Sequence, residues 1–348
     1  MPSRPEYVFH NPSSDILTAK FSPFHPNLIV GGCYSGQVLL WDMRSNSPNP
    51  VQKTPLTGLG HTHPVYSLEV IGTQNANNII SCSTDGVVCT WSVDMLAQPQ
   101  EKLELKAPGK AEDVAPQCIA FPPSDPTYFL TGTEEGTVYS CSRYERAGGK
   151  AGVDARMVYS GHAAPVVALD FHPARGPVDL GDLLLSASMD WTIKLWRVRP
   201  PAALGTAVTG ATTAQGPILD MVREDIVYDV KWSPVRPGIF AVVDGAGALE
   251  VWDLNHDVEV PVAKVLPTAE MGAAWPKRSL NKCAWERNEG KKIAVGGLDG
   301  VVTVFEVGNE LGGTEGKADE WTQVKKVVTR AEAQVGAKFA VNGPMNGR

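Results

Sequence analysis

Apolar and polar residues alternate with a period near two along most of the chain, in short runs broken by glycine, proline, asparagine and serine. The clearest copy is Leu183 to Trp196, LLLSASMDWTIKLW: an aliphatic run, a turn at Met189-Asp190-Trp191, and a second run ending on the indole. That pattern predicts a tight antiparallel hairpin. The hairpin recurs, and its last bulky residue falls at Trp41, Trp91, Cys141, Trp196, Trp252 and Phe305, spaced by 50 to 56 residues. Five positions before each anchor sits the turn residue: Gly36, Gly86, Gly136, Trp191, Gly247 and Gly300. Glycine at five of those six is what a turn with positive φ demands.

Most copies read as four strands. The first runs ILTAKFSP, LIVGGCYSG, QVLLWD and VQKTPL, and the sixth shows only NKCAWER, KIAVGGLDG and VVTVFEV. A repeat of this length and content predicts an all-β chain, a WD40-type β-propeller with six recognisable blades over residues 5–317. PEYVFH, residues 5–10, reads as a strand standing alone before the first hairpin. Glu145 to Asp154, Pro200 to Gly216 and Gly308 to Glu320 read as mobile surface loops. The period then changes: Trp321, Val324, Val328, Ala331 and Val335 fall at helical spacing, predicting an amphipathic helix over 318–338 docked on the propeller, then a disordered tail at 339–348. The rival assignment makes Val324 to Val328 the outer strand of the sixth blade.

Composition narrows the class. At 348 residues with a formal charge of -7, the chain fits one large all-β domain and offers no global attraction to nucleic acid or an anionic membrane surface. No stretch approaches the roughly 18 uninterrupted apolar residues of a membrane span, and the start has no signal-peptide pattern. We therefore expect a soluble intracellular protein that neither binds nucleic acid nor inserts in a membrane. The six cysteines, Cys33, Cys82, Cys89, Cys118, Cys141 and Cys283, all fall in predicted strands without a CxxC spacing, so they read as reduced, buried thiols.

The candidate chemistry is sparse. His162, Ser186, Asp190 and Trp196 align with His61, Ser81, Asp85 and Trp91. Histidine, serine and aspartate together invite a hydrolase reading, but both serines lie in predicted strands and no GxSxG elbow is present. Hydrogen-bonded sets that satisfy polar groups between strands are the better reading. No phosphate-binding glycine loop follows a strand and no ligand set completes a metal site around His61 and His63, so neither enzyme, cofactor nor metal is expected. Binding remains. Tyr34, Trp191 and Trp275 are predicted at hairpin turns or inter-blade loops of one face, where an aromatic suits a partner contact; the alternative is that each tucks against its own blade.

Several segments go beyond the general repeat. HPNLIVGGCYSGQVLLWD, TPLTGLGHTHPVYSLEVIGTQNANNIISCSTDG, MDWTIKLW, YDVKWSPVRPGIFAVVDGAGALEVWDLNHDVEVPVA and KIAVGGLDGVVTVFEVG together resemble the C-terminal propeller of cytoplasmic dynein intermediate chains, from about Pro5 to Trp321. The resemblance implies a non-catalytic scaffold subunit, cytoplasmic and microtubule-associated through the dynein complex, whose propeller binds the N-terminal tail of the heavy chain. It also implies a seven-bladed ring, of which PEYVFH would be the outer strand of a blade lying before Met1; a seven-blade curvature with a gap is the expectation here. The light-chain and dynactin sites of that family lie in an N-terminal region with no counterpart in this sequence. The alternative is a WD-repeat adaptor of an unrelated intracellular assembly, which the same fold serves equally well.

Overall fold

The computed structural model describes residues 5–341 except 57, 110–111, 146–149, 205–211, 268–277 and 314–315, and omits the side chains of 202–203 and 336–341. Short alternating runs pair with their sequence neighbours into six antiparallel sheets in chain order, a six-blade propeller arrangement. The first sheet holds β1 (Ile16–Phe21), β2 (Leu28–Cys33), β3 (Val38–Asp42) and β4 (Gln52–Lys53). The second holds β5 (Val65–Thr73), β6 (Ala76–Ser83), β7 (Val87–Ser92) and β8 (Glu101–Glu104). The third contains β9 (Pro116–Ala120), β10 (Tyr128–Thr133), β11 (Thr137–Ser142) and β12 (Gly152–Ser160). The fourth is built from β13 (Val166–Phe171), β14 (Leu183–Ser188), β15 (Thr192–Arg197) and β17 (Leu219–Val222), while β16 (Thr213–Gln215) adds a fifth strand to the third. The fifth consists of β18 (Val227–Trp232), β19 (Ile239–Asp244), β20 (Leu249–Asp253) and β21 (Ala263–Val265). The sixth has three strands: β22 (Leu280–Trp285), β23 (Lys292–Gly297) and β24 (Val302–Glu306).

Two compact units divide the chain, one holding the first two blades and most of the third, the other the last three blades and the C-terminal helix. In the first unit, Val30, Val38 and Leu40 of one blade meet Leu68, Ile79, Cys89 and Trp91 of the next. In the second, Ile239, Ala241, Val243, Leu249 and Val251 meet Leu280, Cys283, Ile293 and Val295. Each interface combines the alternating residues of two facing sheets, the packing that alternation dictates. Trp41, Trp91, Cys141, Trp196 and Trp252 are all buried, and all six cysteines are buried in the strands that the sequence predicts for them.

The six turn residues have positive φ, from 67° at Trp191 to 85° at Gly36. At Gly247 a Cβ would lie 2.3 Å from Arg278 O, so glycine serves there for close approach as well as conformation.

The C-terminal segment is helical, α1 (Ala318–Val341), so the outer-strand assignment for Val324 to Val328 does not hold. Trp321, Val324, Val328 and Ala331 form its buried stripe against the fourth and fifth blades. Arg197–Glu332 at 3.2 Å and Arg236–Glu320 at 3.3 Å flank the stripe. Residues 5–10 do not form the expected strand. A strand needs a continuous ladder, and among the described residues this segment has one such bond, His10 N–H to Pro48 O at 2.7 Å, with the Phe9 ring set against Trp41 instead. Residues 342–348 of the expected tail lie outside the described residues.

Candidate partner-binding face and its buried polar sets

The structure brings His162, Ser186, Asp190 and Trp196 together. Trp196 Nε1–H donates to Ser186 Oγ at 2.8 Å, and His162 Nε2 lies 2.6 Å from that same oxygen. His162 Nδ1 is 2.9 Å from Asp190 Oδ2, which also accepts from the Ala163 N–H at 3.0 Å. One consistent assignment puts the proton on Nδ1, donating to Asp190, while Ser186 O–H donates to Nε2 and its lone pair receives the indole. Burial pushes the His162 pKa down against the opposing pull of Asp190. Burial pushes Asp190 up, but hydrogen bonds from Thr192, the Ala163 N–H and His162 outweigh it and hold that carboxyl at about 2. The neutral imidazole and the carboxylate are thus the stable pair.

The second blade repeats the arrangement in part. His61 Nε2 lies 2.7 Å from Ser81 Oγ, which accepts Trp91 Nε1–H at 2.8 Å. Asp85 takes the Thr62 N–H at 2.9 Å but stands 3.5 Å from His61 Nδ1, beyond a good hydrogen bond. Burial again raises the Asp85 pKa and is overcome by its donors, leaving it at about 2. Ser81 and Ser186 are fully buried, so a substrate reaches neither hydroxyl. Among the described residues, no group of three or more histidines, cysteines and carboxylates is placed to hold a metal ion.

The fifth blade solves the same problem with charge, which the sequence reading missed. Trp252 Nε1–H donates to Glu250 Oε2 at 3.3 Å, and Arg223 stacks over the indole at 4.8 Å while pairing with Glu250 at 2.8 Å. Lys264 adds a second cation 3.3 Å from the buried carboxylate. In the first blade Trp41 Nε1 has no hydrogen-bond partner among the described residues.

Tyr34 and Trp191 stand at corresponding hairpin turns, β2–β3 and β14–β15, and both are exposed, at 62% and 49%. Trp275 lies outside the described residues. Trp191 holds a φ of 67°, where an L-residue costs on the order of 1 to 2 kcal/mol. Its carbonyl accepts the Arg223 N–H at 2.7 Å, tying the turn to the end of β17. Met189 and Val222, both exposed, sit beside it; Val222 is the register partner of Thr192. An exposed aromatic that shares a hydrogen-bonded frame with two exposed apolar residues has the composition of an interface anchor. Val222 was invisible in the sequence because its proximity depends on the β15–β17 register, whereas Met189 belongs to the same turn as Trp191.

Residues 154–197 match the WD domain, G-beta repeat family, and residues 1–78 match the WD40 domain of dynein axonemal intermediate chain 3. A cytoplasmic dynein 1 intermediate chain of Drosophila melanogaster is 40% identical over 321 residues, 92% of this chain. The chain is a WD40-type propeller, similar over most of its length to a dynein intermediate chain. It spans 44% of that relative's length. The WD match covers β12 to β15, and with them the His162, Ser186, Asp190 and Trp196 set.

Proposed function

We propose that this WD-repeat chain is a non-catalytic scaffold subunit of a cytoplasmic dynein complex, binding the N-terminal tail of the heavy chain in support of minus-end-directed transport along microtubules. The observation that carries this reading is the 40% identity over 92% of the chain to a protein named cytoplasmic dynein 1 intermediate chain. The propeller suits the role because its turns display side chains on a rigid frame, while Ser186 and His162 are committed to internal hydrogen bonds. No helix among the described residues is long and apolar enough to cross a membrane.

Trp191 and Tyr34 are the anchors we assign to the heavy-chain contact. The test is co-sedimentation of the purified chain with a recombinant heavy-chain tail fragment. Retention by the wild type and at least about tenfold weaker binding of Trp191→Gly would support the reading, since a central aromatic anchor contributes roughly 2 kcal/mol. Equal retention of both proteins would remove Trp191 from the interface, and no retention of either would remove the heavy chain as partner.

A further inference from the structure

Three arginines stand in the loops that join the first strand to the second in the fourth, fifth and sixth sheets: Arg175, Arg236 and Arg287. These loops lie at the opposite ends of the strands from the turn that carries Trp191. Arg236 is committed, since it pairs with Glu320 at 3.3 Å and donates to Glu310 O at 2.6 Å. The other two are exposed, and Arg175 Nη1–H donates to Arg287 O at 3.3 Å, which carries the guanidinium of the fourth blade to the loop of the sixth. Neither has a carboxylate partner among the described residues. The acids of the same two loops are engaged elsewhere. Asp179 accepts the Gly181 N–H at 3.0 Å, and Asp182 pairs with Arg197 at 3.1 Å. Glu286 accepts the Lys291 N–H at 3.3 Å, and Glu289 pairs with Lys291 Nζ. Two cations thus lie within a side chain's reach of each other with no counter-charge from their own loops.

The frame under Arg175 is fixed on both sides. Ala174 holds a φ of 52°, a conformation that is costly for alanine and that glycine would take freely. Its N–H donates to Nδ1 of the fully buried His172 at 3.1 Å, and the other ring nitrogen lies 3.1 Å from Pro237 O. That arrangement puts the imidazole proton on Nε2 and ties the loops of the fourth and fifth sheets together. On the other side, a Cβ on Gly176 would lie 2.2 Å from the Trp321 ring, so the backbone there is pressed against α1. Strain kept next to an exposed cation, with both neighbours pinned, argues for a use of that side chain.

We propose that Arg175 and Arg287 form a binding site for a phosphate dianion carried on a serine or threonine of a partner polypeptide. Two uncompensated guanidiniums call for two negative charges, and each planar fork matches a pair of phosphate oxygens. A phosphorylated side chain supplies a charge of about -1.5 to -2 at neutral pH, more than a single carboxylate can. Exposed arginines on loops suit a phosphate on an extended segment, whereas a whole small molecule needs enclosing apolar walls. A formal charge of -7 disfavours an anionic bilayer as the carrier.

The probe is a fluorescein-labelled Ala-Gly-phosphoserine-Gly-Ala peptide, compared by anisotropy at low ionic strength with the same peptide bearing plain serine. Wild-type protein is expected to bind the phosphopeptide saturably and at least about tenfold more tightly than the serine peptide. Arg175→Met and Arg287→Met should each weaken phosphopeptide binding at least about fivefold, and added salt should weaken it further. Trp191→Gly should leave it unchanged, so this site and the heavy-chain contact stand or fall separately. Both arginines are exposed, so the variants should keep the wild-type melting transition. Equal affinity for the two peptides, or phosphopeptide binding that survives both substitutions together, would overturn the proposal. Sedimentation with phosphatidylserine vesicles that Arg287→Met abolishes, with no phosphopeptide binding, would put a membrane on the site and overturn it equally.

Discussion

Replacing Ser186 by alanine tests the buried set of the fourth blade most sharply. The substitution removes one oxygen from a fully buried site, so lost apolar packing contributes little. What remains is the cost of two orphaned polar groups: Trp196 Nε1–H, which donated at 2.8 Å, and His162 Nε2, which stood 2.6 Å away. At about 1 to 3 kcal/mol for each buried group left unsatisfied, Ser186→Ala should cost roughly 2 to 6 kcal/mol. Urea unfolding followed by tryptophan fluorescence measures this directly. Combining Ser186→Ala with Trp196→Phe removes the indole donor as well, so the double variant should be less destabilised than the sum of the singles by on the order of 1 kcal/mol. Trp41→Phe is the control, because the Trp41 indole has no partner to lose among the described residues; its cost should be ring volume alone and smaller than that of Trp196→Phe. A Ser186→Ala cost below about 1 kcal/mol, or strict additivity in the double variant, would refute the reasoning. Loss of a hydrolytic activity at unchanged stability would favour the nucleophile reading instead.

Acid should weaken the α1 side of the second unit through His172, which is fully buried between Trp232 and Trp321 with ring centroids 5.0 and 5.5 Å away. Burial drives its pKa from 6.5 to about 4, so stability present above pH 6.5 is lost as pH falls toward 4, by about 3 kcal/mol at about 1.4 kcal/mol per unit. A urea midpoint series from pH 7 to pH 4 in wild type and His172→Gln checks this, and equal slopes in the two proteins would rule it out. Val324→Asp places a charge in the buried stripe of α1 and should cost at least about 3 kcal/mol; hydrogen exchange should show the helix released before the sheets, and an undisturbed helix would contradict the packing described. Gly247→Ala forces a Cβ to within 2.3 Å of Arg278 O at a φ of 83° and should lower the melting temperature by several degrees, whereas an unchanged transition would mean that turn can shift freely.

The architecture was legible because two independent regularities coincide: an anchor every 50 to 56 residues and a turn residue five positions before it. The helix was legible for the same reason, since Trp321, Val324, Val328 and Ala331 keep a 3.6-residue spacing that a strand cannot bury on one face. Both polar sets stood out because His, Ser, Asp and Trp recur in order, although Asp85 stands farther from its histidine than Asp190 does. The fifth-blade substitute did not. Glu250, Arg223 and Lys264 come from three separate segments with no repeated spacing, and only strand pairing makes them neighbours. Likewise β16 is three residues inside a stretch that composition marks as loop, too short for any period to show. Residues 5–10 alternate like a strand but find no ladder, a reminder that β pattern describes a surface that fits a sheet and does not supply one.

We propose that this WD40-type propeller acts by holding another chain on its turns. Mass photometry of the chain mixed with a purified heavy-chain tail fragment tests that most directly. A complex at the summed mass, lost with Trp191→Gly while the melting transition of the free protein does not fall, is the expected result. Two separate populations at every concentration, with a folded wild-type propeller, would contradict it.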